Sequence, residues 1–485
     1  MAQTTIKISS CLAATIVGRR ALAAVVAIAV GSAVSVGAEA ETLLDTLAAT
    51  YQYSPTLDAA RAQQRAVDEN VARANSGYRP NAQFGANVGR QRVGTFTNNA
   101  SGHTVNSPRG YSFDITQPLF TGFQVTNAVN SAEASDRAGR ETLRSTEQQV
   151  LLDAVTAYGD VTRDQAIVKL NENNLKFLDA ELKAQRDRFA VGEVTKTDVA
   201  QSEARRALGQ SDLDQARANL KSSRVIFEQV VGHPPSNLVE ANPNTRLVPR
   251  SLEDAVAIGT KENPIVVNAL YSEQAARYNV DQIRGQLLPQ AQLQGNYSDQ
   301  YDPSEGIDRG TTASIVASVT VPLYANGGEV FAQVRQAKHQ HVAALQQIEV
   351  QRAAAQSQVV QAWSQLVGFK AQAESDKASI VANTTALNGV REEERVGQRT
   401  VLDVLNAQQE LLQSQVNLET TKRNILVASY TLVSAIGRLS VSEVGAATAV
   451  YDPQVHYQQV RNKWWGIDIT HGDGRQEHMD VTPVK

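Results

Sequence analysis

The 485-residue sequence predicts a mainly α-helical protein, built as two tandem copies of one unit, each copy also carrying two β-strands. Three observations predict it. One turn motif occurs twice: Phe189–Glu203 reads FAVGEVTKTDVAQSE and Glu394–Gln409 reads ERVGQRTVLDVLNAQQ, so that Gly192, Thr195 and Asp198 match Gly397, Thr400 and Asp403 at an offset of 205. Other landmarks recur at nearly that offset: Ser54-Pro55 with Asn263-Pro264, Gln117-Pro118-Leu119-Phe120 with Val321-Pro322-Leu323-Tyr324, Tyr158 with Trp363, and Gly232 with Gly437. Two helical patterns, Gln124–Ala190 and Glu329–Arg395, run without a proline. At ~1.5 Å per residue each spans roughly 100 Å, longer than any single globule requires.

Composition agrees. Aromatics make up only 5% of the chain, too few for a large globular core but suited to helices packed closely side by side. The net charge of −4 offers no basic footprint for nucleic acid. At the N-terminus, Lys7, Arg19 and Arg20 precede the apolar run Ala21–Val36 and the small-residue site Ala38-Glu39-Ala40. Residues 1–40 therefore read as a secretory signal peptide. Its removal leaves 43 basic against 49 acidic residues, or −6, and takes away the only cysteine, Cys11. No apolar run of spanning length follows, so a mature chain that enters a membrane must do so as strands.

Taken in order, the first copy (41–235) begins with a helix at Leu57–Ser76 that stops before Pro80. Strands are expected at 81–92 and 110–121, where Ala82, Phe84, Ala86 and Val88, then Tyr111, Phe113 and Ile115, alternate with polar or small residues. The long helix 124–190 follows, then a hairpin tip at Gly192, where glycine takes the left-handed conformation that ends a helix, and a return helix over 197–231. A Pro/Asn-rich linker (236–250) leads to the second copy (251–440). Its elements are a helix at Val266–Gln286, strands at 290–301 and 312–324, the long helix 329–395, a tip at Gly397 and a return helix at 402–436. Pro118 and Pro322 mark the strand-to-helix junctions. The segments Val93–Arg109 and Asp302–Gly310 read as exposed loops. The return helix of the second copy has a seven-residue seam, Val404, Leu411, Leu418, Ile425 and Leu432, which is a coiled-coil pattern. The first long helix carries two apolar stripes, one running from Val161 to Phe189 and one of Leu151, Val155 and Tyr158, as befits a helix with a neighbour on each side. The tail, 441–485, lies outside the repeat and is expected to be periplasmic and partly disordered: Tyr451-Asp452-Pro453 and Trp464-Trp465 suggest that part of it is tied down, and its His/Gly/Asp-rich end is expected to be disordered.

Four strands of about ten residues with one apolar face fit a membrane barrel with a wet interior. A soluble hairpin pair packed on a core would alternate identically. Catalysis has no foothold: His339 and His341 lie two apart on a helix and face different ways, and there is neither a phosphate-binding glycine loop nor a nucleophile elbow. No cofactor is expected, and no catalytic or metal site.

The ordered, duplicated set of paired strands, QPLF-type strand ends, very long helices and VGxxTxxDV tips resembles the TolC family of outer-membrane efflux proteins, over essentially all of residues 41–440. The resemblance implies a homotrimer in which three chains share one twelve-stranded transmembrane β-barrel in outer-membrane lipid, above a long α-helical coiled-coil barrel that crosses the periplasm. It implies a passive exit duct for efflux or type I secretion, recruited by a periplasmic adaptor (membrane fusion protein) and an inner-membrane RND or ABC transporter. It also makes the tips a periplasmic gate. Arg399 occupies the position of the arginine that ties the inner helix pair to the neighbouring outer pair, and Thr197 and Asp198 stand at its partners' positions. Asp403 matches the upper of two acidic rings, whereas the second ring position is Asn406. Glu394 replaces a tyrosine and is expected to repel Asp198 unless Arg399 bridges both. Helix capping is a second role open to Asp198 and Asp403. A trimeric coiled-coil scaffold in the periplasm or on the surface, with the strands as a soluble cap, is the alternative function.

Overall fold

A computed structural model of the chain describes residues 41–97, 100–243, 246–304, 306–471 and 473–478. The expected signal peptide, 1–40, lies outside the described residues. The elements begin with α1 (Leu43–Tyr53), α2 (Pro55–Asn75), β1 (Asn81–Val88), β2 (Gln91–Thr97), β3 (Ala100–Asn106), β4 (Arg109–Phe120), α3 (Gln124–Ala190) and α4 (Lys196–Val231). Next come α5 (Leu252–Glu262), α6 (Pro264–Arg284), β5 (Gln290–Ser304), β6 (Ile307–Thr320), α7 (Glu329–Arg395) and α8 (Val401–Ala435), in the same order but without counterparts of β2 and β3. The tail holds α9 (Val441–Val444), α10 (Pro453–Val460) and the short pair β7 (Ile469–Thr470) and β8 (Gln476–Glu477).

The two 67-residue helices, α3 and α7, are continuous spines. Towards its C-terminal end α3 lies between α4 and α8, and towards its N-terminal end between α2 and α6; α7 packs on α6 and α8. Side chains fix these levels: Gln64 of α2 and Asn268 of α6 bond to the N-terminal half of α3, while Arg423 and Gln408 of α8 bond to Asp160 and Asn174 further along it. Hence α2 and α4 lie end to end beside one spine, and α6 and α8 lie end to end between the two.

Burial follows from this arrangement. On α8, Val404, Leu411, Ala428 and Leu432 pack towards α7, while Val401, Leu405, Leu426 and Tyr430 pack towards α3. The largest apolar cluster surrounds Tyr158, which is fully buried and donates its hydroxyl proton to the carbonyls of Glu41 and Val239. Phe189, expected on the apolar stripe of α3, is instead half-exposed at the tip, where few neighbours remain to cover it.

Each half has a joint where one short helix ends and the next begins. Ser54 and Asn263 cap α2 and α6 through their side chains, accepting from the N–H groups of Leu57 and Ile265. Pro55 and Pro264 occupy the first helical position, where a missing N–H costs nothing. Across each joint sits a glycine with positive φ: Gly232 (φ 97°) against the Tyr53 ring, and Gly437 (φ 85°) against the backbone of Glu262 and Asn263. Helices α1 and α5, which precede the joints, extend the helical structure upstream of the expected starts at Leu57 and Val266. A capping box at Thr42 and Asp45 starts α1, and Ser251 caps α5.

The four strands β1-β4-β5-β6 form one antiparallel sheet in that order, so β1 and β6 are its edges. The register aligns Phe84, Phe113, Tyr297 and Ala313 across it. Ala82, Ile115, Ile315 and Val319 share that apolar face, while Gln83, Asp114, Asn296 and Ser314 share the other, where Asn296 Nδ2 donates to Asp114 Oδ1 at 2.7 Å. Near the hairpin end of β5 and β6, the fully buried Asp299 accepts two hydrogen bonds from Arg309 (2.9 and 2.6 Å) and one from the Tyr111 hydroxyl (3.1 Å).

The strands differ from expectation in three places. The run expected at 81–92 breaks after Val88, because β4 begins opposite it at Arg109. Instead of an exposed loop over 93–109, β2 and β3 pair with each other as a separate ribbon. β5 and β6 extend through most of 302–310, whereas β6 ends at Thr320 and not at 324, since β5 begins at Gln290 directly opposite and leaves Val321–Tyr324 without a partner backbone. Pro118 thus lies within β4, beside a register shift, while Pro322 lies beyond β6. Among the described residues, no helix is long and apolar enough to cross a membrane.

Part of the tail packs on the body. His456 of α10 is buried, with Nδ1 2.6 Å from Asp68 Oδ2 on α2. Gln64 Nε2 donates to both Asp68 and Asp136, and Arg140 pairs with Asp136 at 2.7 Å. Within the His/Gly/Asp-rich end, β7 and β8 pair, and residues 479–485 lie outside the described residues. Burial first, then the adjacent Asp68, pushes the Asp136 carboxyl up to about 7, with Arg140 opposing. An unfolded aspartate ionises near ~4. Between about pH 4 and 7 the unfolded chain therefore releases a proton that the folded chain keeps, and stability from this group falls as pH rises through that window. Asp136→Asn is expected to flatten this dependence and to raise stability at neutral pH by up to a few kcal/mol. Thermal unfolding in detergent at pH 4.5 and 7.5 checks it; an unchanged pH slope would refute it.

Candidate functional site: the paired hairpin tips

Both tips are made by the same local chemistry. Gly192 (φ 81°) and Gly397 (φ 77°) take the left-handed conformation after α3 and α7, with open space around them. Thr195 and Thr400 then start α4 and α8 with reciprocal capping boxes. Asp403 Oδ2 accepts the Thr400 N–H at 3.0 Å and the Thr400 hydroxyl at 2.8 Å, and the Asp403 N–H donates back to that hydroxyl at 3.3 Å. Asp198 does the same with Thr195 at 2.9, 2.7 and 3.3 Å. The backbone N–H and then the hydroxyl of Thr400 hold the Asp403 carboxyl below the usual aspartate range; for Asp198 the Thr195 hydroxyl comes first. Both aspartates cap their helices, and each keeps its charge near solvent.

The tips of the two halves touch through charged and polar side chains. Arg188, in the last turn of α3, donates to Glu394 Oε1 at 2.6 Å and reaches Glu193 at 3.4 Å. Glu394 is largely covered and paired with Arg188. Arg205 Nη2 donates to Asn406 Oδ1 at 2.6 Å. Arg399 bonds Glu393 at 2.9 Å within its own turn, and Thr197 is exposed in the first turn of α4. Arg206 of α4 pairs with Asp179 of α3 at 2.9 Å. Sequence reasoning missed Arg188 and Arg205. The only local signal for Arg188 was a cation in the last turn of a helix, where the dipole favours one. Among the described residues, no cluster of His, Cys, Asp or Glu could hold a metal ion.

A helical hairpin scaffold that ends in two such tips, and carries a four-stranded sheet at the other end of the spines, matches a known family model. The model described as "Outer membrane efflux protein" covers residues 47–233 and 260–438. The chain belongs to the outer membrane efflux protein family. The outer membrane efflux protein BepC of Brucella suis biovar 1 is 39% identical over 434 residues, 89% of this chain and 93% of that protein. The outer membrane protein TolC of Escherichia coli K12 is 23% identical over 428 residues, 84% of each. Among solved structures, the Campylobacter jejuni CmeC outer membrane channel superposes with a TM-score of 0.73 at 14% identity, covering 86% of this chain and 89% of that one. This outer membrane efflux protein is thus a TolC-family export duct of the outer membrane that extends into the periplasm.

Proposed function

We propose that three copies of this chain close a twelve-stranded barrel in outer-membrane lipid and a helical tunnel beneath it. The tunnel serves as a passive duct for efflux or type I secretion that a periplasmic adaptor and an inner-membrane RND or ABC transporter recruit. The observation that carries this reading is the four-stranded sheet with two unpaired edges, β1 and β6, and an exposed apolar face. In hydrocarbon an open edge leaves backbone N–H and C=O groups without partners, so the sheet must be closed by others like it. The helices support the same assembly. Spine α3 buries residues on two sides, whereas α7 has a single buried seam, Val330, Ala337, Ile348, Ala355, Ala362 and onwards, and leaves Val342, Val350 and Val381 exposed. Helix α4 likewise exposes Leu208, Val225 and Ile226, so the outer sides of α7 and α4 are complementary faces of neighbouring subunits.

In that assembly the tips form the gate, the second-half pair innermost, with Asp403 as an acidic ring and Asn406 as a neutral position beside it. Arg399 reaches Thr197 and Asp198 of the neighbouring subunit only by sharing or leaving Glu393. The Arg188–Glu394 and Arg205–Asn406 bonds hold the inner and outer hairpins of one chain together. Mass measurement of the detergent-solubilised protein tests the assembly. A trimer is expected, and a stable folded monomer would overturn the reading.

A further inference from the structure

After α10 the chain forms the loop Lys463-Trp464-Trp465-Gly466-Ile467, which holds its apolar side chains outward. Trp464 is 58%, Trp465 85% and Ile467 90% exposed. Lys463 closes the loop from within, donating from Nζ to the Asp468 carbonyl at 3.1 Å and the Thr470 hydroxyl at 3.0 Å. Gly466 takes the positive φ of 106° that the turn requires. Arg79 fixes the loop to the body: its Nη1 donates to the Lys463 carbonyl at 2.8 Å, and its guanidinium lies 4.7 Å from the centre of the Trp464 ring. Asn75, the last residue of α2, bonds the Arg461 carbonyl at 3.0 Å. Arg79 precedes Asn81, the first residue of β1, by two positions, so the loop stands at the foot of the sheet. The strand-to-helix junctions there expose further apolar groups, Leu119, Phe123, Leu323 and Tyr324.

Two indoles and an isoleucine held in water forgo a large hydrophobic gain. Indole rings favour the headgroup level of a bilayer, where one part of the ring is wet and the rest apolar. Arg79 and Lys463 add two positive charges at the base of the loop, the sign that anionic phospholipid attracts. We propose that the Trp464–Ile467 loop is an interfacial anchor, inserting into the headgroup and upper acyl region of the periplasmic leaflet of the outer membrane, with phospholipid as its ligand. The proposal rests on the reading that β1 and β4–β6 lie in that membrane. Exposed apolar groups at the same end of the sheet favour lipid over a protein partner.

The test uses tryptophan emission from the full chain, reconstituted in phosphatidylethanolamine/phosphatidylglycerol vesicles with brominated acyl chains. The sequence has three tryptophans, so Trp363→Phe leaves emission from the loop alone. The expected result is blue-shifted emission that bromine quenches, more strongly when placed high on the acyl chain than near its end. With Trp464→Phe and Trp465→Phe and Trp363 retained, quenching should vanish, because Trp363 lies about 50 Å along α7 from its sheet end. Ile315→Trp on the outward face of β6, in a background without the native tryptophans, reports the sheet separately and should be quenched by deep bromine. Failure of that reporter overturns the membrane reading of the sheet and the anchor with it. Quenching at residue 315 with a loop that bromine does not quench and aqueous iodide does overturns the anchor alone. A loop shielded from both quenchers is covered by protein, which also overturns the lipid assignment.

Discussion

Asp403→Asn is expected to abolish most of the cation preference of the periplasmic mouth and its block by multivalent cations. The capping box leaves the Asp403 charge in place: one oxygen is committed to Thr400, and those same bonds favour the ionised form. A unit cation ~4 Å from one carboxylate gains about 1 kcal/mol in water, and a divalent cation about twice that. In the proposed trimer, three carboxylates around one axis would give a tenfold or larger change in blocking affinity, diminishing as salt rises. Asp403→Glu should keep both the cap and the block, since glutamate completes a capping box equally well. Asn406→Asp by itself should add little, because Arg205 already points a guanidinium at that position. Asn406→Asp combined with Arg205→Ala should strengthen the block. Planar-bilayer conductance with a trivalent cation on the periplasmic side measures all four. Block that persists in Asp403→Asn would leave the residue as a helix cap and nothing more.

Gly437→Ala should destabilise the protein by about 2–4 kcal/mol. A residue with a side chain pays ~1 kcal/mol to enter the left-handed region. The new methyl would also collide with the Glu262 carbonyl oxygen and lie 2.8 Å from its carbon and 2.9 Å from Asn263 Cα. These are backbone atoms that no rotamer change can move aside, and overpacking of this kind costs ~1–3 kcal/mol. The shift would strain the Arg438–Glu262 pair (2.8 and 2.9 Å), the Arg144 bond to the Gly437 carbonyl (2.7 Å) and the Asn263 bond to Ala435 (2.9 Å). Gly368→Ala is the control: it lies within α7 with nothing near its would-be methyl, so it should be neutral or stabilise by up to ~1 kcal/mol. Denaturant unfolding in detergent separates the two. Equal stability of both variants would mean that the joint is loose.

What could be read from the chain was whatever local chemistry imposes. Val-Gly followed by Thr-x-x-Asp ends one helix and starts the next without help from elsewhere, and the 67-residue lengths of α3 and α7 followed from those stops. The alternation of Phe84, Phe113 and Ile315 with polar residues was visible because one face of the sheet is apolar. The β2–β3 ribbon was not visible: its Gly, Asn, Ser and Thr residues resemble a loop, and its pairing is only with itself. Helices α1 and α5 were hidden because each is only 11 residues long and ends at a cap that also starts its neighbour. The contacts between the two tips were the least legible. Glu394 and Asn406 meet partners 206 and 201 residues away, and no periodicity encodes which charge lies across a tip. The His456–Asp68 contact, 388 residues apart, was hidden for the same reason.

The joints at Ser54–Gly232 and Asn263–Gly437 have a mechanical consequence. The spines run unbroken past them, while their companions are butted end to end at corresponding places in the two halves. A beam laminated in this way resists bending along most of its length through the full thickness of its layers. At the splice α1 and α5 lie beside the continuous spines and overlap the butted ends, and the largest apolar cluster packs around the first joint, so load is handed on through side-by-side contacts. Sideways force on the lower end of the duct is therefore passed across each joint through the tight seats of Gly232 on the Tyr53 ring and Gly437 on the Glu262 backbone.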